Sequence, residues 1–116
     1  MGVDLKLFPI TFRESWSAFD SLDVERRREL WDDIVELPSL EIPKPVYCTE
    51  GRDDHGEPCH GEVTESPYGA RLRWVNAGDL LTLKDHEAVR DNWRNRAVWA
   101  YLAEMPADWP IVLYWH

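Results

Sequence analysis

Apolar and polar side chains alternate along residues 2–8, and this period of two predicts a half-buried strand. The apolar members of the alternation are Val3, Leu5 and Leu7. Proline has no backbone N–H, so Pro9 either ends this strand or places it at the edge of a sheet. Residues 111–115 form an uninterrupted apolar run, which is typical of a strand covered on both faces. We therefore expect this last strand to lie centrally in its sheet.

Apolar residues recur at helical spacing in two longer stretches. Residues 23–37 predict a first helix that Pro38 stops, and residues 85–104 predict a longer helix that Pro106 closes. A short helical stretch over residues 80–83 precedes the second of them. The predicted core stripes are Leu30, Ile34 and Leu37 in the first helix, and Val89, Trp93, Ala97, Ala100 and Glu104 in the second.

Between these helices the pattern is less regular. Residues 70–75 predict a strand with apolar and basic residues on opposite faces, namely Leu72 and Trp74 against Arg71 and Arg73. Two prolines within residues 42–48 favour an extended path. Residues 49–61 are rich in Gly, Asp, His, Pro and Cys, and this composition predicts a loop.

The order of these elements is strand, helix, extended segment and loop, strand, long helix, strand. Strands separated by helices in a chain of 116 residues predict a single α+β domain spanning residues 1–116. We expect a small mixed sheet of three to four strands packed against two main helices.

Seven tryptophans in 116 residues are an unusual number. Each indole either fills a core or lines a recognition surface. Trp99 lies outside the predicted apolar stripe of its helix. Trp109 lies between two turns that contain proline, and Trp16 lies in an irregular stretch. These three positions predict a protein-binding surface, because exposed aromatic side chains are typical interface anchors. The alternative is that they cover the edge of a small core.

The formal net charge is −9. An acidic surface repels phosphate backbones, which argues against a duplex nucleic acid as partner. It suits a basic surface on another protein, although the charge also keeps a protein soluble. No apolar run approaches the roughly 20 residues needed to span a bilayer, and the first residues lack a secretory pattern. We therefore expect a cytoplasmic protein that does not bind a membrane.

One candidate site combines basic and aromatic residues. Arginine and tryptophan together can stack on a base and pair with a phosphate, so they predict a nucleotide-like ligand. The predicted ligand-binding residues are Tyr68, Arg71, Trp74, Arg90 and Arg94, with Arg96 and Trp93 nearby on the long helix. The alternative is that the helical arginines pair with local acids while Trp93 belongs to the core.

A second candidate site is a metal centre. Cys48, His55, Cys59 and His60 are possible zinc ligands, although their spacing matches no standard zinc finger. The alternatives are a plain polar loop and a disulfide between the two cysteines, which a reducing compartment disfavours. Apart from this possible zinc, the sequence predicts no cofactor.

No familiar catalytic spacing occurs in the chain. Cys59 and His60 have the residue types of a cysteine nucleophile and its base, but neighbours on an extended chain point to opposite faces. Whether the protein is an enzyme stays open, and binding is favoured over catalysis.

The two ends of the chain carry a resemblance. Residues 1–6, Met-Gly-Val-Asp-Leu-Lys, and residues 109–116, Trp-Pro-Ile-Val-Leu-Tyr-Trp-His, resemble small uncharacterised proteins encoded by bacteriophages and prophages. The resemblance implies a protein that binds and blocks a host component. The leading hypothesis is thus a non-catalytic protein that engages a host protein. The alternatives are a protein that binds or sequesters a nucleotide-like molecule, and a zinc-binding domain.

Overall fold

The computed structural model describes residues 4–52 and 58–116, without the side chains of residues 48–52 and 58–60. In chain order the elements are β1 (Leu5–Pro9), β2 (Ser17–Ala18), β3 (Leu22–Val24), α1 (Arg28–Val35), β4 (Leu40–Glu41), β5 (Val46–Arg52), β6 (Pro58–Val63), β7 (Arg73–Asn76), α2 (Ala77–Leu81), α3 (Glu87–Arg90), α4 (Trp93–Ala103) and β8 (Pro110–Trp115). Helices and mostly antiparallel strands confirm the α+β class.

The strands form two sheets. The larger has the order β3-β1-β8-β7-β4, and all its pairs are antiparallel. The smaller has the order β2-β5-β6, and its β2–β5 pair is the parallel one. The larger sheet has five strands rather than the three to four expected. Strands of two or three residues, such as β3 and β4, are too short to show an alternation in the sequence.

The last strand lies at the centre of the larger sheet, as its apolar run predicts. β8 pairs with β1 on one side and β7 on the other, and Leu113 stands between Leu7 and Arg73. Its side chains alternate between two cores, so both faces of the strand are buried. This explains why the run is apolar without interruption.

The cores lie on opposite faces of the larger sheet. The helical core is formed by Leu5, Leu7, Val24, Leu30, Trp31, Ile34, Val75, Ala77, Leu80, Ala88, Val89, Val98, Trp99, Leu102, Ile111 and Leu113. The strand core is formed by Phe8, Ile10, Ala18, Ile42, Val46, Leu72 and Val112. The central sheet therefore separates a helical layer from the small second sheet.

Both long helices predicted from the sequence are shorter in the structure. Residues 22–24 form β3 on the edge of the larger sheet, so α1 begins only at Arg28. The second predicted helix divides into α3 and α4 at Asn92, whose side chain accepts hydrogen bonds from the backbone N–H groups of Arg94 and Asn95. A side chain that caps a new helix end favours a break at that point.

The buried face of α4 also differs from the predicted stripe. Its buried residues are Asn95, Val98, Trp99 and Leu102, whereas Ala97 and Ala100 are exposed. Trp93, predicted to be in the core, has 66% of its surface exposed. The predicted stripe was misleading for two reasons. Alanine fits either face of a helix, and Asn95, although polar, is buried with its oxygen and amide hydrogen-bonded.

The loop predicted over residues 49–61 is largely a hairpin. β5 and β6 pair antiparallel, with Val46 opposite Val63 and Gly51 opposite Cys59. The register shifts between Cys48 and Gly51. The glycine, proline and polar residues of this segment are typical of a loop, so the sequence did not predict the two strands. In the structure each strand pairs with the other. Within the described ranges, no helix is both long and apolar enough to cross a membrane.

Candidate functional site

A cleft lies between the last turn of α1 and the face of the larger sheet where β7 and β8 pair. Its volume is about 390 Å³. It is lined by Ile34, Val35, Ser39, Ser66, Ala70, Arg71, Leu72, Arg73, Leu113 and Trp115. Arg73 stands directly opposite Leu113 in the sheet, so the two side chains share the face that opens into the cleft.

The floor of the cleft is apolar. Ile34 of α1 is 1% exposed and Leu113 of β8 is 5% exposed. Trp115 is half-buried beside them and meets Trp31 edge-on, with ring centroids 5.6 Å apart. Val35, which is 65% exposed, forms an apolar rim. An apolar group that enters the cleft would lose contact with water on several sides.

Two arginines form the opposite wall. Arg73 donates from Nε to the Ser39 hydroxyl over 2.8 Å and from Nη2 to the Ser39 carbonyl over 2.6 Å. Arg71 donates from Nη2 to the Ile42 carbonyl over 3.0 Å. These bonds fix each guanidinium while leaving several of its five N–H donors free. The wall is therefore both basic and held in place.

The charge of this wall is only partly balanced. Glu41 lies 3.8 Å from Arg71 Nε and 4.0 Å from Arg73 Nη1, and all three side chains are partly exposed. Exposed pairs at such distances are weak. Among the described residues that line the cleft, none is acidic. An anion in the cleft would thus meet two positive charges and no lining carboxylate.

The side chains that line the cleft offer hydrogen bonds, positive charge and apolar contact. Ser39 and Ser66 supply hydroxyls, but the described lining holds no histidine or carboxylate to accept a proton from them. Nucleophilic catalysis by serine needs such a base within hydrogen-bond reach. A ligand with an anionic group and an apolar body fits the two sides of the cleft.

The five residues predicted to bind a nucleotide-like ligand are not brought together. Arg71 lines the cleft beside β4, whereas Arg94 pairs with Glu25, which directly follows β3. β3 and β4 are the two edges of the five-stranded sheet, roughly 19 Å apart at the usual strand spacing. Arg90 ends α3, which Asn95 ties to Glu25 through the Ala88 carbonyl. The prediction of a single site that contains Arg71 together with the arginines of the helices is therefore wrong.

The two aromatic members of that set do not line the cleft. Trp74 faces the strand core, where it meets Trp16 edge-on with ring centroids 5.6 Å apart. Tyr68 is 60% exposed in the turn before Gly69. Arg71 alone of the predicted ligand-binding residues contributes to the cleft.

The tryptophans predicted to bind a protein are covered to different degrees. Trp99 is 4% exposed and donates from Nε1 to the Leu80 carbonyl over 2.8 Å, so its prediction as an exposed anchor is wrong. Trp16 is half-buried against Trp74 and holds a left-handed backbone, with φ 52°. Trp109 is half-buried and donates from Nε1 to the Ile10 carbonyl. Trp93 is the tryptophan with a largely free surface.

The side chains of the predicted zinc ligands are not among those that the structure describes. His55 is not among the described residues, and the side chains of Cys48, Cys59 and His60 are not described. Their zinc-binding role stays a prediction. In the described part of the chain, no group of three or more His, Cys, Asp or Glu side chains is placed to hold a metal ion.

Sequence reasoning missed most of the cleft. Ser39, Ser66 and Trp115 come from three separate segments, and nothing in their local sequence signals that they meet. The one available signal was the spacing of Arg71 and Arg73, which puts two arginines on the same side of an extended segment.

No family model, curated protein or solved structure matches the chain. The resemblance of the chain ends to phage and prophage proteins stays a prediction. The function is accordingly inferred from the cleft and from the exposed side chains.

Proposed function

We propose that this chain is a non-enzymatic binding protein whose ligand is a small organic anion with an apolar body. The observation that carries the proposal is the cleft, in which a basic wall faces an apolar floor. Its volume of about 390 Å³ lies within the range of small-molecule sites, which is roughly 300–1,000 Å³. A nucleotide-like molecule belongs to this ligand class.

The two sides of the cleft set the orientation of the ligand. The anionic group lies against Arg71 and Arg73, and the apolar body lies against Ile34, Leu113 and Trp115. The C-terminal end of α1, which borders the apolar side, carries a partial negative charge. This end would repel an anion and so favours the same orientation.

A calorimetric and fluorescence titration tests the proposal. The probes are an anilinonaphthalene sulfonate, which combines an anion with an aromatic body, and a set of nucleoside monophosphates. We expect one molecule bound per chain. A ligand at 100 times its dissociation constant would stabilise the fold by about 2.7 kcal/mol, which a thermal shift detects.

Two variants locate the binding. Arg71→Gln removes a charge-assisted hydrogen bond worth about 1.5–3 kcal/mol, so the affinity should fall at least tenfold. Ala70→Phe places a large side chain at the exposed rim and should block entry while leaving the arginines in place. The matched controls are Arg13→Gln and Ala97→Phe, which change exposed residues outside the cleft. Binding that all four variants retain, or no binding of any probe, would refute the proposal.

Engagement of a host protein is the second candidate function. The observation that favours it is an exposed aromatic pair, because Phe12 is 56% exposed, Phe19 is 37% exposed and their rings meet edge-on at 5.4 Å. Exposed aromatic pairs are typical of interface anchors. A phage origin and a cytoplasmic location belong to this candidate.

Capture of partners from bacterial lysate tests this second candidate. One dominant protein should be recovered at physiological salt and lost with Phe12→Ser. Tyr68→Ser is the matched control, since Tyr68 is equally exposed elsewhere on the surface. If Phe12→Ser captures the same protein as the unmodified chain, the aromatic pair is not the interface.

A further inference from the structure

Six of the ten arginines of this acidic protein lie in two segments of the chain that meet beside β3. Asn95 joins two segments there: its side-chain oxygen accepts from the Glu25 N–H over 2.7 Å, and its amide donates to the carbonyls of Glu25 and Ala88. The arginines of the two segments are Arg26, Arg27, Arg28, Arg90, Arg94 and Arg96. Together with Trp93 they are called the arginine patch. We propose that the arginine patch binds single-stranded nucleic acid.

The charge of the patch differs in sign from that of the remaining chain. Residues 25–29 and 87–96 carry six arginines and four carboxylates, a net charge of +2. The remaining residues carry seven bases and eighteen acids, a net charge of −11. Asp23, Asp32, Asp33 and Asp85 adjoin these segments, so the attraction for a phosphate backbone is confined to the guanidinium groups themselves.

Several of these arginines have no carboxylate partner. Arg94 lies 3.3 Å from Glu25, and Arg90 lies 3.3 Å from Asp91. Arg96 instead donates from Nη1 to the Arg90 carbonyl over 2.7 Å. Within the described residues, no carboxylate lies within 4 Å of the guanidinium groups of residues 26–28. These exposed cations are available to phosphates.

Salt limits the repulsion from the acids elsewhere on the molecule. The molecule measures 35 × 34 × 22 Å, whereas the screening length is about 10 Å at 0.1 M salt. Charges on the far side are thus two or more screening lengths from the patch. The neighbouring charges decide whether a phosphate binds there.

Trp93 supplies the feature that favours a single strand. It is 66% exposed, and the guanidinium of Arg94 lies over its ring at 5.4 Å from the centroid. An exposed indole flanked by cations is a stacking platform for an unpaired base. The bases of a duplex are already stacked on one another, so a duplex would leave Trp93 unused. An acidic peptide would pair with the arginines but would gain little from a flat aromatic ring.

Fluorescence anisotropy with a labelled oligothymidylate of twelve nucleotides tests the proposal, using the full chain at 50–200 mM NaCl. We expect binding at 50 mM that weakens with salt, with a slope of log K on log salt of about −0.7 per neutralised phosphate. Combined substitution of residues 26–28 by glutamine should make this slope less negative by about 2. Arg13→Gln, an exposed arginine outside the patch, should leave the slope unchanged.

The aromatic contribution is measured separately. Trp93→Ala should weaken binding by about 5- to 150-fold, the range expected for one stacked base, while Tyr68→Ala should not change it. Trp93 is exposed, so its removal should leave the unfolding midpoint in urea unchanged. No binding at 50 mM salt, full binding by Trp93→Ala, or stronger binding of a duplex or a polyglutamate peptide would each overturn the proposal.

Discussion

Asn95 shows how one buried side chain can hold separate segments together. It is completely buried and uses both its oxygen and its amide N–H groups, so the polar atoms of the side chain are satisfied. A buried polar group without such partners is costly. Asn95 thereby fixes Glu25, at the end of β3, against the junction of α3 and α4.

Asn95→Asp should be strongly destabilising. It keeps the size of the side chain but replaces the donor to two carbonyls by an uncompensated buried charge. We expect a loss of about 3 kcal/mol or more in the free energy of unfolding, measured by urea denaturation at pH 7.

Asn92→Asp provides the matched control for this change. Asn92 caps α4, and aspartate is an equally good cap that the helix dipole favours. We expect it to leave stability within about 0.5 kcal/mol. Equal effects of the two substitutions would contradict the role assigned to Asn95.

The environment of Tyr101 predicts that the protein loses stability at alkaline pH. Partial burial, and then the charge and hydrogen bond of Asp20, raise the pKa of Tyr101 above its ordinary value of 10.0. A raised pKa means that the folded state holds the proton more tightly than the unfolded state. The resulting stability is present below pH 10 and is lost as the pH rises through the raised pKa.

Tyr101→Phe should therefore flatten the fall in stability above pH 10. The free energy of unfolding at pH 9 and at pH 11 gives the slope for each variant. Because Tyr101 is 42% exposed, solvent screens the effect and the difference in slope should be small. A slope that is identical in Tyr101→Phe and in the unmodified protein contradicts the expectation.

At the scale of elements, the short helix α3 depends on a side chain at its start. His86 caps α3, because its Nδ1 accepts from the Ala88 N–H over 3.0 Å. Its Nε2 lies 3.1 Å from the Asp33 carboxylate on α1. One imidazole thus caps one helix and ties it to another. A helix of four residues is not stable on its own and needs such contacts.

Two substitutions of His86 separate these roles. His86→Ala removes the cap and the contact with Asp33, and should lower the free energy of unfolding by about 1–2 kcal/mol. His86→Asn can still cap the helix and should lose less than about 1 kcal/mol. Chemical denaturation of both variants at pH 7 provides the comparison. If His86→Asn lowers the free energy of unfolding as much as His86→Ala or more, the capping role assigned to His86 is contradicted.

At the scale of the whole molecule, β8 connects the two cores. Ile111 belongs to the helical core, and the next residue, Val112, belongs to the strand core. Both are completely buried. Because adjacent side chains of one strand fill both cores, we expect the cores to unfold together.

Ile111→Ala and Val112→Ala test this cooperativity. Ile111→Ala should cost about 2–5 kcal/mol, and Val112→Ala somewhat less because it removes fewer carbon atoms. Each variant should still unfold in one transition, with urea curves from tryptophan fluorescence and far-ultraviolet circular dichroism that coincide. A transition that divides into two in either variant would show that the cores are independent.

The sequence by itself determined the features that depend on local pattern. The alternation before Pro9, the apolar run of β8 and the helical spacing around Leu30 and Ile34 each record which face of an element is buried. These periodicities were sufficient for the α+β class and for the central place of β8.

Only the tertiary structure decided how distant segments meet. It buried Trp99 together with Asn95, Val98 and Leu102 on one face of α4, and it left Trp93 exposed. It formed the cleft from segments near residues 34, 39, 71 and 113, and it brought Glu25, which precedes three consecutive arginines, against α4. Contacts between residues far apart in the chain arise from packing, and packing leaves no periodic trace in the sequence.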